Sequence, residues 1–137
     1  MTQPTVGVVV VTHGQLANEL LNATEMIAGE LPHFEAVALG WHDDPNAAKD
    51  QIAGAIERVR GGAGVLILTD MFGGTPSNLG ITFLEDQKIE VVTGVNLPML
   101  VKLASVRVEK PLALAIQCAQ EAGRKYINVA SQVLAGQ

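Results

Sequence analysis

Cysteine occurs once in the 137 residues, at Cys118, so no disulfide can close within the chain and a disulfide-stapled fold is excluded. A lone thiol in an apolar stretch, Leu112 to Ala119, reads as a buried structural residue and suits a reducing compartment. Aromatic residues are scarce, with one Trp, one Tyr and three Phe, so the core must be built from Val, Leu, Ile and Ala. Basic residues number nine against fourteen acidic ones. The net charge of −5 argues against nucleic acid and anionic membranes, and fits a partner with a basic face. No apolar run approaches the roughly 20 residues that span a bilayer. The N-terminus, Met1 to Thr5, lacks a basic segment, and Val6 to Val11 is too short for a signal-peptide core. These absences lead us to expect a cytoplasmic protein of one domain, residues 1–137.

What the chain does have is alternation of strand-like and helix-like patterns. Val6 to Thr12 is a short β-branched run, which reads as a strand buried on both faces. Leu16, Leu20, Ala23 and Ile27 then recur at helical spacing up to a stop at Gly29. Phe34 to Leu39 reads as a second strand, and Ala47 to Val59 as a helix capped from Asp43 to Asn46 and ended by Gly61 and Gly62. Val65 to Leu68 is a third strand. Thr75 is the expected N-cap of a helix with Pro76 in its first turn, running to about Leu84. Ile89 to Val92 is a fourth strand and Pro98 to Ala104 a helix. Pro111 to Ala122 is helical with Gly123 as its stop, and Tyr126 to Ala130 alternates at period two, predicting a short fifth strand. This order predicts an α/β fold: a doubly wound, mainly parallel four-stranded sheet with helices on both faces and right-handed crossovers.

Chemistry in such a sheet gathers at the carboxyl ends of the strands. Three loops lie there: His13-Gly14, Asp70 to Asn78, and Gly94 to Pro98. An imidazole beside a glycine at a strand end offers a nucleophile or base. An aspartate after four apolar residues is costly without a partner. A carboxylate accepting from one ring nitrogen of His13 would fix the tautomer and leave the other free to attack. Gly73 and Gly74 let the backbone approach an anion, and the amides near Thr75 to Ser77 offer a phosphate cradle. The same residues also read as a plain turn and a capped helix. Met26, Phe72 and Met99 could frame the site as an apolar ring, although such residues belong to cores more often than to interfaces.

Other chemistries fail on missing residues. No Lys follows Gly73-Gly74 as a P-loop requires, and no Gly-x-Gly-x-x-Gly follows the first strand. The acidic pair of a receiver domain and the Gly-x-Ser-x-Gly elbow are also missing. His33 and His42 sit in polar loops with no ligand spacing to His13, so no metal site is expected. His42 follows the second strand and could reach the same edge, whereas Trp41 beside it reads as a loop-packing anchor.

The motifs Val-Thr-His13-Gly14, Asp70-Met-Phe-Gly-Gly-Thr-Pro-Ser-Asn78 and Gly94-Val-Asn-Leu-Pro-Met-Leu100, in this order, resemble the mannose-class enzyme IIA domains of the bacterial phosphotransferase system. The resemblance runs over essentially the whole chain. It implies a phosphoryl group taken from the phosphocarrier HPr onto His13 and passed to a histidine of a IIB domain for sugar uptake. Asp70 matches the carboxylate that orients the ring through Nδ1, leaving Nε2 to attack, and Thr75 matches the phosphate-binding helix start. No cofactor or metal is implied. The resemblance also implies a homodimer in which a C-terminal strand, here Tyr126 to Ala130, is exchanged. The sequence ends at Gln137 without a linker into a IIB domain, so transfer in trans is expected. Two further uses fit the same histidine: a regulatory phosphoprotein read by a kinase, transporter or transcription regulator, and the phosphocarrier subunit of a dihydroxyacetone kinase.

Overall fold

The computed structural model describes residues 4–40, 43–106, 108 and 110–136. Four strands, β1 (Thr5–His13), β2 (Phe34–Leu39), β3 (Gly62–Thr69) and β4 (Ile89–Thr93), form one parallel sheet in the order β2-β1-β3-β4. Between them lie α1 (Leu16–Ala28), α2 (Pro45–Val59) and α3 (Thr75–Ile81). After β4 come α4 (Leu97–Val106), α5 (Leu112–Lys125) and α6 (Ala130–Ala135). The expected doubly wound sheet is therefore present.

The valine run of β1 explains its central place. Successive side chains point to opposite faces of a strand. Val6, Val8 and Val10 pack with Leu66 and Leu68 of β3 against α1, α4 and α5, through Ala17, Leu100, Leu103 and Ala115. Val9 and Val11 pack with Val65 and Ile67 on the other face, against Ala48, Ile52, Ala55, Ile56 and Val59 of α2. Every one of these β1 and β3 side chains is fully buried. Each contributes about 1.5–3 kcal/mol over an exposed placement.

The chain leaves β1 to build β2 on one side, then returns to build β3 on the other. The reversal falls between β1 and β3, whose carboxyl ends flank a crevice. That crevice holds His13 and the loop after Thr69.

Several expected boundaries shift. The N-cap of α3 is Gly74 rather than Thr75, and the helix ends at Ile81 because the following residues tighten into turns, Phe83 N–H donating to the Gly80 carbonyl. Helix α2 ends at Val59 as expected but begins at Pro45, and Gly62 already belongs to β3. Gly123 does not stop α5. It lies buried inside the helix, where a β-carbon would stand 3.0 Å from Met99 Cε, so its role is close packing against α4.

The fifth strand is absent from the described residues. Tyr126 caps α5, residues 127–129 form no ladder, and Ala130 opens α6. A strand needs a partner to pair its backbone groups, and the sheet within this chain ends at β4 without reaching the tail. Tyr126, Ile127 and Val129 are exposed instead. Cys118 is half-buried in α5. His33 takes a left-handed turn before β2, and Trp41 and His42 lie outside the described residues.

Candidate functional site

His13 closes β1, and its ring is half-exposed, with 49% of the side chain accessible. Asp70 follows β3 directly, and its side chain is only 14% accessible. Parallel pairing of Val11 with Thr69 sets the two strand ends side by side. Asp70 Oδ2 lies 2.7 Å from His13 Nδ1 and accepts a second hydrogen bond, 3.0 Å long, from the His13 backbone N–H. Asp70 Oδ1 accepts from the Met71 N–H at 3.0 Å. The carboxylate is thus engaged through both oxygens.

Partial burial raises the Asp70 pKa, but hydrogen bonds from the His13 backbone and ring, the charge of His13 and the loop amide outweigh it. The carboxyl sits below its ordinary value and stays ionised at neutral pH. A carboxylate facing Nδ1 favours the neutral tautomer that carries its proton there, with the lone pair on Nε2.

The opposite edge of the ring meets Gly74. A β-carbon at Gly74 would stand 2.7 Å from His13 Cε1 and 3.0 Å from Nε2, so only glycine lets the backbone pass this close. Gly73 before it has φ +95°, in the left-handed region that glycine favours. The loop is fastened by Ser77, which is fully buried: its Oγ accepts from the Gly73 N–H at 2.8 Å and donates to the Gly74 carbonyl at 3.1 Å. The same carbonyl accepts from the Asn78 N–H, the first turn of α3. Thr75 and Pro76 border a hollow of about 510 Å³ that also touches His13, Leu39, Asp43 and Ala48.

The expected site residues therefore gather as follows. His13, Asp70, Gly73, Gly74 and Thr75 share the crevice, while Ser77 lies beneath the loop with its hydroxyl occupied. Of the expected apolar ring, only Phe72 stays at the site, 73% exposed on the Asp70 loop. Met99 is buried in the core between α4 and the sheet, because its spacing with Leu100 and Leu103 gives α4 its inward face. Met26 is exposed in the last turn of α1, away from the helix start that adjoins His13.

Two supports were not anticipated. Thr12 Oγ1 accepts from the Ala17 N–H at 2.7 Å, so the strand itself caps α1, whose N-cap residue Gln15 makes no side-chain bond to the helix backbone. Asn96 Oδ1 accepts from the Met99 N–H at 3.1 Å and its amide donates to the Gly123 carbonyl at 2.9 Å. The Gly94 loop thereby caps α4 and ties it to α5. An Asn two residues before Pro98 is a readable cap signal, whereas the link to Gly123 spans 27 residues and has no local trace.

Residues 7–118 match the EIIA-man family, described as the PTS system fructose IIA component. The chain belongs to this family. It is 36% identical over 98 residues to the PTS system sorbose-specific EIIA component of Lacticaseibacillus casei, covering 71% of this chain and 70% of that protein. It is 31% identical over 128 residues to the PTS system mannose-specific EIIAB component of Escherichia coli (strain K12), covering 85% of this chain and 38% of that protein. The chain thus spans well under half the length of that relative. Its fold matches the PTS IIA protein associated with the fucose utilization operon from Streptococcus pneumoniae with a TM-score of 0.84 and 26% identity, over 97% of this chain and 99% of that one. The family expected from the three motifs is the family found, and no helix among the described residues is long and apolar enough to cross a membrane.

Proposed function

We propose that residues 1–137 form one IIA domain that carries a phosphoryl group on His13, between phospho-HPr and a IIB-type histidine, in the cytoplasm. The observation that supports this most directly is the 2.7 Å contact between His13 Nδ1 and Asp70 Oδ2. In this reading the Nε2 lone pair attacks the phosphorus of the donor's phosphohistidine. The new Nε2–P bond forms as the donor's P–N bond breaks, and the donor imidazole keeps that electron pair. The proton on His13 Nδ1 stays in place, and Asp70 balances the positive charge that the ring gains. The reverse sequence delivers the group to the acceptor histidine.

A loose, metaphosphate-like transition state calls for alignment and charge stabilisation rather than covalent help. Asp70 supplies the alignment. We assign the backbone amides at Gly74 and Thr75, with the Thr75 hydroxyl, to the phosphoryl oxygens, because Gly74 stands beside the ring and Thr75 lines the same hollow as His13. No metal or cofactor enters this scheme. The exposed Met71 and Phe72 on the same loop offer an apolar rim for a docking protein, and the acidic balance of the chain favours a basic one. The exposed tail from Tyr126 to Leu134 is the segment we assign to a homodimer contact.

Incubation with phosphoenolpyruvate, enzyme I and HPr tests the proposal. The expected product is a single acid-labile adduct on His13, lost in His13→Ala. No adduct on this chain while HPr itself is labelled would overturn it.

A further inference from the structure

The side of the imidazole that must react is bounded by backbone, and one buried hydroxyl fixes that backbone. Ser77 has no exposed surface, so it cannot reach a group bound at Nε2. Its hydroxyl accepts from the Gly73 N–H, and its single donor is used on the Gly74 carbonyl. Between these two bonds lies the Gly73–Gly74 peptide, and Gly74 at its end stands beside the ring, where a β-carbon would lie 2.7 Å from His13 Cε1 and 3.0 Å from Nε2. Gly73, with its left-handed φ, has no steric preference of its own to hold this shape. The hydroxyl supplies the preference that the glycines lack.

We infer that Ser77 is a positioning residue for the histidine, setting the Gly73–Gly74 peptide against the reactive edge of the ring rather than binding the phosphoryl group. One loop then holds the imidazole from two sides. Asp70 at its start fixes Nδ1, and Gly74 four residues later bounds Nε2. Without the Ser77 clamp, the Asp70 contact survives while the opposite boundary loosens. The ring then departs from a narrow attack geometry, and the amides of Gly74 and Thr75 lose their fixed aim. Misplacement on this scale is costly in a reaction governed by alignment.

This inference rests on the phosphocarrier reading for its consequence, but one of its signatures does not. The full chain carrying Ser77→Ala is compared with the unsubstituted protein in two assays. In single-turnover transfer from phospho-HPr, the maximal rate is expected to fall about 10-fold while the half-saturating donor concentration stays within about twofold. With diethyl pyrocarbonate, a small electrophile that needs no carrier, modification at His13 is expected to quicken about threefold, because the Gly74 boundary no longer shields the ring. Both assays are run well below the variant's melting temperature, because unfolding by itself would also slow transfer and expose the ring.

An unchanged maximal rate in a folded Ser77→Ala protein overturns the inference. If the unsubstituted chain accepts no phosphoryl group, the phosphocarrier reading fails, and the electrophile assay then decides Ser77 by itself: an unchanged rate at His13 overturns it. Should Ser77→Ala fold poorly, Ser77→Cys keeps the volume with a weaker hydrogen-bonding group. It is expected to show the same pair of changes at smaller size, and wild-type values in both assays would overturn the inference.

Discussion

Asp70 holds His13 twice through a single oxygen: Oδ2 accepts the backbone N–H at 3.0 Å and faces ring Nδ1 at 2.7 Å. The first contact fixes the end of the strand and the second fixes the ring relative to it. An amide in place of the carboxylate can keep one of these contacts but removes the charge. Asp70→Asn is expected to slow transfer onto His13 at least about 100-fold, the scale of a positioned acid–base group. Rapid-quench measurement of the labelled protein checks this, and a rate within threefold of the original would remove Asp70 from the mechanism.

The same pair sets a pH signature. The Asp70 pKa is lowered in the folded state relative to its ordinary value. The carboxylate therefore stabilises the fold above the ordinary carboxylate range, and that contribution is lost as the pH falls through the lowered folded value. Acid unfolding of the native chain should be steeper in this region than that of Asp70→Asn. Parallel acid-denaturation curves for the two proteins would contradict it.

Gly74 tolerates no side chain while the ring stands where it does. A methyl group at the position of the missing β-carbon would meet His13 Cε1 at 2.7 Å, well inside normal contact. Gly74→Ala is expected to keep the fold and to cut transfer by about 100-fold, equivalent to roughly 2.7 kcal/mol at the transition state. The comparison is made at saturating donor, with circular dichroism as the control for folding.

Thr69 presents the opposite situation, a group whose removal should help. Its hydroxyl is fully buried under α3 and has no hydrogen-bond partner among the described residues. An unsatisfied buried hydroxyl costs about 1–3 kcal/mol, and valine has nearly the same shape without it. Thr69→Val is expected to stabilise the chain by about 1 kcal/mol, or roughly 3–5 °C in Tm. Calorimetry decides, and a lowered Tm would mean that the hydroxyl is satisfied in solution.

Asn96 separates structure from chemistry. It caps α4 and bonds the carbonyl of Gly123 in α5, and both of these bonds lie in the helical layer rather than on the His13–Asp70 pair. Asn96→Ala is expected to cost about 1–2 kcal/mol of stability, in line with a lost cap. Transfer measured well below the lowered Tm should be unchanged.

The sheet was legible in the sequence because its signals are local. A run of β-branched residues at β1, an apolar quartet in β3 and helical spacing between them require nothing distant. His13 and Asp70 could be paired for the same reason: both follow recognisable strands, and parallel strands bring their ends together. Other features depend on partners far along the chain. Ser77 reads as part of a phosphate cradle at a helix start, and only the fold of the Gly73–Gly74 loop turns its hydroxyl inward. Gly123 reads as a stop because glycine ends helices, but close packing on Met99 keeps it inside one. The period-two pattern from Tyr126 to Ala130 reaches neither edge strand of the sheet, and α6 opens at Ala130 instead.

The His13–Asp70 contact links residues 57 positions apart, across the whole β1-α1-β2-α2-β3 segment. Nothing shorter than that closed segment can present a gripped imidazole. In the proposed scheme, competence to receive a phosphoryl group is thereby a checkpoint on folding: a chain that has not yet paired β3 with β1 offers only a loose histidine. Such a chain would leave the proposed phosphoryl donor untouched.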